Sequence, residues 1–292
     1  MSRIIELPLH RWDETITMAL QQKAVHELEQ DNILFFPALS FVIETEEAAL
    51  LSPQYSDGKA KNISYNCNDH TLRGIDSNVE TAIKMKAMLS RFNRNATRLI
   101  NQLFPHYEPY LQVARTSYRP VEIAGRKAKS YKKDDTRLHI DAFPSSPVQG
   151  RRLLRVFSNI NPFHQLRVWH VGESFEGVAN RFLPQIRNPF ISGSLLKKLK
   201  ITKGLRTPYD HFMLHIHDRM KADTQYQKTV PQITVAFPAN STWIVQTDSV
   251  SHAVLSGQFL MEQTFYLPVE GMVNPNQSPL RILEKLRGRA LL

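Results

Sequence analysis

The feature of this sequence that most constrains its fold is a succession of short β-rich runs that fills the chain from Leu111 onward. Pro, Asn, Ser and Gly interrupt these runs, and such residues favour turns over continued strands. The eight runs are LQVARTSYRPVEI, RLHIDAF, RLLRVFSNI, RVWHV, ITVAFPA, TWIVQT, HAVLS and QTFYLP. They predict a jelly roll, or double-stranded β-helix, in which two facing sheets hold a pocket at one end.

The first 110 residues have the apolar spacing of helices. The motif Ser77-Asn-Val-Glu80 matches a capping box, so a long helix is predicted to start at Ser77. Its apolar positions from Met85 to Leu103 recur at three- and four-residue steps, and Pro105 is expected to stop it. Upstream we expect a weaker helix from Asp13 to about Glu29 and a short buried strand at Ile33–Phe36, then irregular chain up to Ser77.

A further helix, over Tyr209 to Ala222, is predicted to interrupt the strand runs. Because the chain has no internal repeat, low-complexity stretch or clean linker, we expect one α+β domain over residues 1–292. Within it we expect a mainly helical support region at 1–110, the jelly-roll core at 111–270 and a basic segment at 271–292.

The chain is strongly basic, since 37 Lys and Arg against 27 Asp and Glu give +10 at pH 7. Three runs hold much of this charge, at Arg126 to Lys133, Lys197 to Arg206 and Arg281 to Arg289. Such a protein is attracted to polyanions, which include nucleic acid, an anionic membrane surface and a phosphorylated substrate. Each run taken alone is explained equally well by a solvated surface.

The rest of the composition excludes several other classes. Cys67 is the only cysteine, so neither an intramolecular disulfide nor a thiolate metal cluster is available. No uncharged apolar run reaches membrane-spanning length, and acidic residues enter the N-terminus before a signal-like segment develops. We therefore expect a protein of the reducing cytoplasm.

A metal site is predicted at His139-Ile-Asp141 together with His252. Residues at i and i+2 of a strand point to the same face, so His139 and Asp141 can reach one ion together. His252 begins a later strand run and is the expected third ligand. Two histidines and one carboxylate leave coordination positions open, the arrangement used by mononuclear non-haem iron(II) oxygenases.

Two rival motifs have similar composition but a less suitable setting. His106-Tyr-Glu108 lies between two prolines at a helix end, so its side chains are expected to face solvent. His215-Ile-His217 lies in a predicted helix, where i and i+2 point apart and His211 instead stacks on His215. Both are interpreted as surface or packing residues.

Longer segments around the metal motif resemble a known family. They are YRP, RLHIDAFPSSP, RVFSNINP, RVWHVGESFE, YDHFMLHIHDRMKAD and TDSVSHAVLSGQ. Together they resemble the Kdo 3-hydroxylase family, iron(II)- and 2-oxoglutarate-dependent dioxygenases of Gram-negative bacteria. The resemblance extends over most of Leu111 to Pro268 and is weaker in the helical N-terminal third.

This resemblance implies a reaction. Fe(II), 2-oxoglutarate and O2 would hydroxylate carbon 3 of the sugar acid Kdo on lipid A, giving Ko with release of succinate and CO2. Ascorbate would be stimulatory. Related halogenases lack the metal-binding carboxylate, so Asp141 favours hydroxylation.

The residue that holds the far carboxylate of 2-oxoglutarate is harder to assign. Many relatives place an arginine about ten residues beyond the distal histidine, where this chain has Glu262. Another subgroup uses a basic residue on the strand after the His-x-Asp motif, which indicates Arg155. Its guanidinium can bind a carboxylate with two hydrogen bonds, although Arg151 and Arg152 compete for the same role.

Further cosubstrate and substrate residues follow from the same resemblance. Arg167 and Trp169 alternate on the next run and are expected to face the pocket, while Tyr118 and Asn159 are weaker hydrogen-bonding candidates. The candidates for contact with the anionic sugar are Arg119, Arg126 and Lys127.

A lipid-anchored substrate implies peripheral contact with the anionic inner face of the inner membrane. The segments SLLKKLKITKGLR and LRILEKLRGRALL mix leucine with basic residues, as interfacial segments do, although ordinary surface helices have the same pattern.

Two other functions remain open at this point. The positive charge would also suit a 2-oxoglutarate oxygenase that acts on nucleic acid or a ribosomal protein. Base-repair members have two arginines after the distal histidine, and none follows His252 before Arg281, so no nucleic acid is expected. The second alternative is a jelly-roll binding module in which His139, Asp141 and His252 are merely satisfied polar groups of the core.

Overall fold

The structure is a computed structural model that describes residues 3–189, 198 and 204–292. Within these ranges the strands form a large sheet in the order β1-β2-β9-β6-β11-β5-β3-β4 and a small sheet in the order β10-β7-β8. The strands are β1 Ile4–Glu6, β2 Ile33–Phe36, β3 Ile63–Asn66, β4 Thr71–Arg73, β5 Gln112–Arg119, β6 Arg152–Asn159, β7 Arg167–Val171, β8 Ile233–Phe237, β9 Ser241–Gln246, β10 His252–Ser256 and β11 Leu260–Leu267.

The large sheet has an antiparallel centre with strands from the N-terminal region added at both edges. Strands β9, β6, β11 and β5 pair antiparallel in that order. The short strand β2, predicted from the apolar run at Ile33–Phe36, pairs with β9, while β3 pairs with β5 at the other edge. The N-terminal third is therefore built into the sheet rather than only packed on it.

The two sheets contact each other through an aromatic cluster. Phe157 of the large sheet lies 5.3 Å from the ring of Trp169 in the small sheet, and Trp243 lies 5.7 Å from Trp169. Phe237 stacks on Trp243 with ring centroids 4.0 Å apart. These large rings fill the space between the sheets beside the candidate pocket.

Seven of the eight predicted strand runs form strands, but RLHIDAF does not. This segment makes only an isolated bridge between His139 and His252. The physical reason lies one residue earlier, where the side-chain amide of Gln227 takes the place of a neighbouring strand. Its Oε1 accepts from the Leu138 backbone N–H at 2.8 Å, and its Nε2 donates to the Leu138 carbonyl at 3.0 Å.

The helices of the N-terminal region pack on the outer face of the large sheet. They are α1 Met18–Glu29 and α2 Val79–Leu103. The apolar stripe predicted for α2 is buried and packs in one cluster with residues of β6 and β11. The predicted cap, Ser77, was one residue early and the capping box is wrong, because the side chain of Asn78 caps the helix by accepting from the Thr81 N–H.

Two other N-terminal predictions need correction. The first helix begins at Met18 with Thr17 as its cap, not at Asp13. The chain before α2 is not irregular, since it contains β3, β4 and 3-10 turns at Thr45–Leu50 and Pro53–Tyr55. Each of these elements is too short to leave a periodic apolar pattern.

A second group of helices lies near the His139 segment. They are α3 Phe175–Phe182, α4 Pro208–Ala222, α5 Thr224–Thr229 and α6 Pro279–Arg287. Helix α4 matches the predicted inserted helix and lies between β7 and β8. In the C-terminal segment Leu280, Leu283 and Leu291 are buried, whereas Leu286 and Leu292 are exposed. Most of the basic run from Lys197 to Arg206 falls outside the described residues.

Candidate metal centre

The two histidines of the predicted metal site face each other across the isolated bridge. The backbone N–H of each donates to the carbonyl of the other at 2.9 Å, and their rings lie 4.7 Å apart. Each Nδ1 donates to a carbonyl two residues upstream, at 2.8 Å in both cases: His139 to Arg137 and His252 to Val250. This fixes the tautomer, so each Nε2 keeps a lone pair for a metal.

The carboxylate of Asp141 completes the group. Its backbone N–H donates to the Thr247 carbonyl at 2.7 Å, and its Oδ1 lies 3.8 Å from Nε2 of His139. The three possible ligand atoms lie within 4.8 Å of one another, and no other such group occurs in the described residues. Two neutral imidazoles and a carboxylate form the donor set that suits iron(II).

The electrostatics of the three residues agree with metal binding. Burial, together with the neighbouring His252, lowers the pKa of His139 well below its usual value, and burial also lowers the pKa of His252. Burial alone would raise the pKa of Asp141, but the Arg155 guanidinium and the two histidines hold it below its usual range. The site therefore offers neutral imidazoles and an ionised carboxylate at neutral pH.

The rival motifs lie where the sequence placed them. His106 and Glu108 are exposed, and the rings of His211 and His215 lie 4.3 Å apart in a tilted arrangement. His217 lies closer to the metal group than the sequence indicated, because its ring packs edge-on against His139 at 5.5 Å. It supports a predicted metal ligand and is not part of a second site.

A small cavity of about 50 Å³ extends from the metal group between the two sheets. Its lining is unusually rich in cations. The lining residues are Lys61, Arg119, Asp135, His139, Asp141, Arg155, Phe157, Arg167, Trp169, His252 and Val254.

Arg155 lies in this cavity but is already paired. Its Nη2 lies 3.2 Å from Asp141 and its Nη1 lies 3.1 Å from Glu262. Arg119 pairs with the same Glu262. Glu262 is thus a buried acid that pairs with two arginines.

Arg167 is the cavity cation that differs from these. Its side chain is 1% exposed, and Nη1 donates to the Gly257 carbonyl at 2.7 Å. Within the described ranges, no carboxylate lies in ion-pair contact with it. Burial and the nearby Arg119 lower its pKa to about 9, so it remains a cation at neutral pH.

Gly257 lets Arg167 adopt this position. The glycine has a φ of +120°, and a Cβ added there would lie 2.6 Å from Cδ of Arg167. Any larger residue would displace the guanidinium, so backbone and side chain are fitted to each other here.

The other cosubstrate candidates divide into one that reaches the cavity and two that do not. Trp169 lines it and stacks on His252 at 5.1 Å. Tyr118 faces the outer helical layer, where its hydroxyl donates to the Leu50 carbonyl at 3.3 Å. Asn159 is buried and holds the following loop by donating to the carbonyls of Gln165 and Phe237. Strand periodicity alone could not distinguish these positions.

The competing arginines at the start of β6 also lie away from the cavity: Arg151 just precedes the strand and Arg152 is its first residue. Arg151 donates to the side chain of Gln112 and lies over the ring of Tyr266. Arg152 is fully buried on the other face of the strand, where it pairs with Asp248 at 2.7 Å.

Of the predicted sugar-binding residues, Arg119 lines the cavity, Arg126 lies near it and Lys127 is exposed. Arg126 donates to Asp135 at 2.9 Å, and Lys61 lies 2.5 Å from the same carboxylate oxygen. Lys61 and Asp135 were not predicted from the sequence. Neither stands in a motif, and only the pairing of β3 with β5 brings Lys61 to this place.

A two-histidine, one-carboxylate group held between two β-sheets defines the class of mononuclear non-haem metal oxygenases. A family model described as 3-deoxy-D-manno-oct-2-ulosonic acid (Kdo) hydroxylase matches residues 11–290. The chain therefore belongs to the Kdo hydroxylase family.

Solved structures of one family member are very similar. One is an apo structure of the Kdo hydroxylase KdoO, described as a non-heme Fe(II) alphaketoglutarate dependent dioxygenase. Its sequence is 47% identical, the match covers 99% of this chain and 97% of the KdoO chain, and the TM-score is 0.96. KdoO with alphaketoglutarate and Fe(III) shares 46% identity, with 100% and 98% coverage and a TM-score of 0.96. KdoO with succinate and Fe(III) shares 47% identity, with 99% and 97% coverage and a TM-score of 0.95. Curated protein sequences gave no match.

Proposed function

We propose that this chain is an Fe(II)- and 2-oxoglutarate-dependent dioxygenase that hydroxylates carbon 3 of a Kdo sugar on Kdo-lipid A. The observation that carries this proposal is the convergence of His139, Asp141 and His252 in a cation-rich cavity. The family match gives the substrate class, and the KdoO complexes with alphaketoglutarate and succinate support the cosubstrate and coproduct.

The metal ligands are assigned from their donor atoms. His139 and His252 would bind iron through Nε2, because Nδ1 of each is held by a backbone carbonyl. Bound iron(II) supplies the place where O2 and 2-oxoglutarate react, so that one oxygen atom enters succinate and the other the sugar. Arg155 orients the Asp141 carboxylate at 3.2 Å, and Trp169 covers one face of His252.

The anchor for the far carboxylate of 2-oxoglutarate is assigned to Arg167 rather than Arg155. Arg155 lies between two carboxylates, whereas Arg167 is buried with only a carbonyl partner among the described residues. An anion that reached Arg167 would gain a charge-assisted hydrogen bond without displacing a protein carboxylate. Arg155 then acts through Asp141, as a positioning residue.

We also propose that the two sheets form a double-stranded β-helix. Strands β5, β6, β9 and β11 would form one sheet of a double-stranded β-helix. The small sheet and the His139 segment would form the other. We propose that residues 1–292 make a single domain, since α2 shares a buried cluster with β6 and β11.

Contact with the inner face of the inner membrane is also a proposal. No helix in the described ranges is both long and apolar enough to traverse a bilayer. In α6, Leu280 and Leu283 pack inward while Arg281, Lys285 and Leu286 are exposed, so the contact would be mainly electrostatic.

The test is succinate release with Fe(II), ascorbate, 2-oxoglutarate and Kdo-lipid A, with mass spectrometry of the lipid for one added oxygen. His139→Ala should abolish iron binding and turnover while the circular dichroism spectrum stays unchanged. His106→Ala is the matched control and should keep full activity. Full activity in His139→Ala, or succinate release with RNA or a ribosomal protein but not with the lipid, would overturn the proposal.

A further inference from the structure

The mouth of the cavity contains a three-residue cluster that the metal chemistry does not use. Oδ2 of Asp135 accepts from Nζ of Lys61 at 2.5 Å and from Nη2 of Arg126 at 2.9 Å. One carboxylate oxygen therefore holds two cations, which leaves a surplus positive charge at this place. Asp135 is 9% exposed and Lys61 is 47% exposed, so the surplus charge is accessible from solvent.

The fold holds this cluster at the cavity by backbone contacts on both sides. The Asp135 carbonyl accepts from the Val254 N–H at 2.7 Å, on the strand that begins with His252. Lys61 comes just before β3, whose first residue, Ile63, is paired with Tyr118 next to Arg119. Gly74 secures the same segment, since a Cβ there would lie 2.3 Å from the Asn62 carbonyl oxygen.

The residues that line the cavity, together with Arg126 at its mouth, leave two places where a cation is not balanced by a carboxylate. Arg119 and Arg155 are both paired with Glu262, and Arg155 is also paired with Asp141. Arg167 is one unbalanced cation, and the Lys61–Asp135–Arg126 cluster provides a second. If the far carboxylate of 2-oxoglutarate binds Arg167, the cluster remains for one more carboxylate.

The chemical name of the family's substrate supplies that carboxylate. In 3-deoxy-oct-2-ulosonic acid, carbon 1 is the acid and carbon 3 the methylene, and both are bonded to carbon 2. With bonds of about 1.5 Å, carbons 1 and 3 lie about 2.5 Å apart. A sugar whose carbon 3 faces the metal must therefore place its carboxylate beside the same cavity.

We propose that Lys61 and Arg126 bind the carboxylate of the sugar acid, and that Asp135 keeps the two cations in place until the sugar arrives. This inference rests on the proposed function and adds the residues that select an acidic sugar. Lys61 is then a specificity-determining residue, because a neutral sugar would leave the surplus charge of the cluster without a counter-ion.

The test is anaerobic binding of a Kdo-bearing lipid A precursor, and of its carboxyl methyl ester, to the protein loaded with Fe(II) and 2-oxoglutarate. Lys61→Gln should weaken binding of the acid about 10- to 100-fold, as expected for loss of a charge-assisted hydrogen bond. The same variant should change binding of the ester less than about threefold. Lys61→Arg should recover most of the affinity for the acid.

Lys59→Gln is the matched control, since Lys59 is exposed in the same segment and does not line the cavity. It should bind both ligands as the wild type does. Equal losses for acid and ester in Lys61→Gln, or no loss for the acid, would overturn the inference even if wild-type turnover is normal. Absence of both lipid hydroxylation and lipid binding in the wild type would instead contradict the proposed function.

Discussion

Strand β6 has a buried arginine network on each of its faces, and the two networks are built differently. On the outer face, Arg152 meets Asp248 at 2.7 Å, Asp31 at 3.6 Å and the hydroxyl of Ser249 at 2.7 Å. On the cavity face, Arg155 belongs to a group in which cations outnumber carboxylates. In the first network the arginine is paired with carboxylates of the protein, whereas the second has cations that remain for anionic ligands.

The difference indicates whether each network contributes to folding or to ligand binding. A paired buried arginine joins elements distant in sequence, and Arg152 joins β6 to the turns that hold Asp31 and Asp248. An unpaired buried cation is unfavourable in the free protein and becomes favourable when an anion arrives. Substitutions on the outer face should therefore affect folding, and those on the cavity face should affect binding.

The largest expected effect separates these roles at Arg152. Arg152→Met removes the guanidinium and leaves two buried carboxylates without a cation, which should lower the free energy of unfolding by about 3–5 kcal/mol. Urea denaturation followed by circular dichroism measures the change, and Arg151→Met is the neighbouring control with an expected loss below about 1 kcal/mol. Equal stability of the two variants would show that the outer network is not structural.

The next effect concerns Arg167, on the cavity side. Arg167→Ala should raise the KM for 2-oxoglutarate about 10- to 100-fold, because a charge-assisted hydrogen bond to the far carboxylate is lost. Iron affinity should stay the same.

Arg155→Ala should give the reverse pattern and distinguish the two arginines. It should weaken iron binding, because Asp141 loses its 3.2 Å partner, with a smaller change in the KM for 2-oxoglutarate. Iron titration and cosubstrate kinetics on both variants decide the assignment. If Arg155→Ala alone raises that KM, the anchor is Arg155, as the sequence predicted.

The smallest expected effect is a pH dependence of stability that arises from Asp31, which belongs to the Arg152 network on the outer face of β6. Burial raises the pKa of Asp31 to about 6, above its value of about 3.9 in an unfolded chain. The stabilisation linked to the protonated form is complete below about pH 4 and is lost as the pH rises through 6. Relative to Asp31→Asn, the wild type should lose on the order of 2 kcal/mol over this range. Parallel stability profiles of the two proteins between pH 4 and 7 would contradict this prediction.

The parts that the sequence predicted are those with a local physical signature. The alternation at His139 and Asp141 placed two donors on one side, and α2 was visible in its buried stripe and terminal Pro105. The helix cap differed by one residue because Ser77 and Asn78 are both good capping residues. The structure brings together the three residues that the sequence predicted, His139, Asp141 and His252. That they bind a metal ion remains a proposal.

The parts that the sequence did not predict depend on pairings between distant residues. The sequence predicted Arg155 as the cosubstrate anchor but gave no sign that Glu262 pairs with it. Lys61 gave no signal, since its partner Asp135 belongs to another segment and the two meet only through the sheet. Charge alone cannot show whether an arginine is balanced, because balance depends on three-dimensional neighbours.

The Gln227 amide that takes the place of a strand beside Leu138 makes iron retention dependent on a short helix. His139 follows the residue that this amide clamps, so its place is set by α5 on one side and by one bridge to His252 on the other. Loosening of that six-residue helix would release the ligand while the large sheet stays intact. On heating, the protein should therefore lose its metal before it loses its β structure.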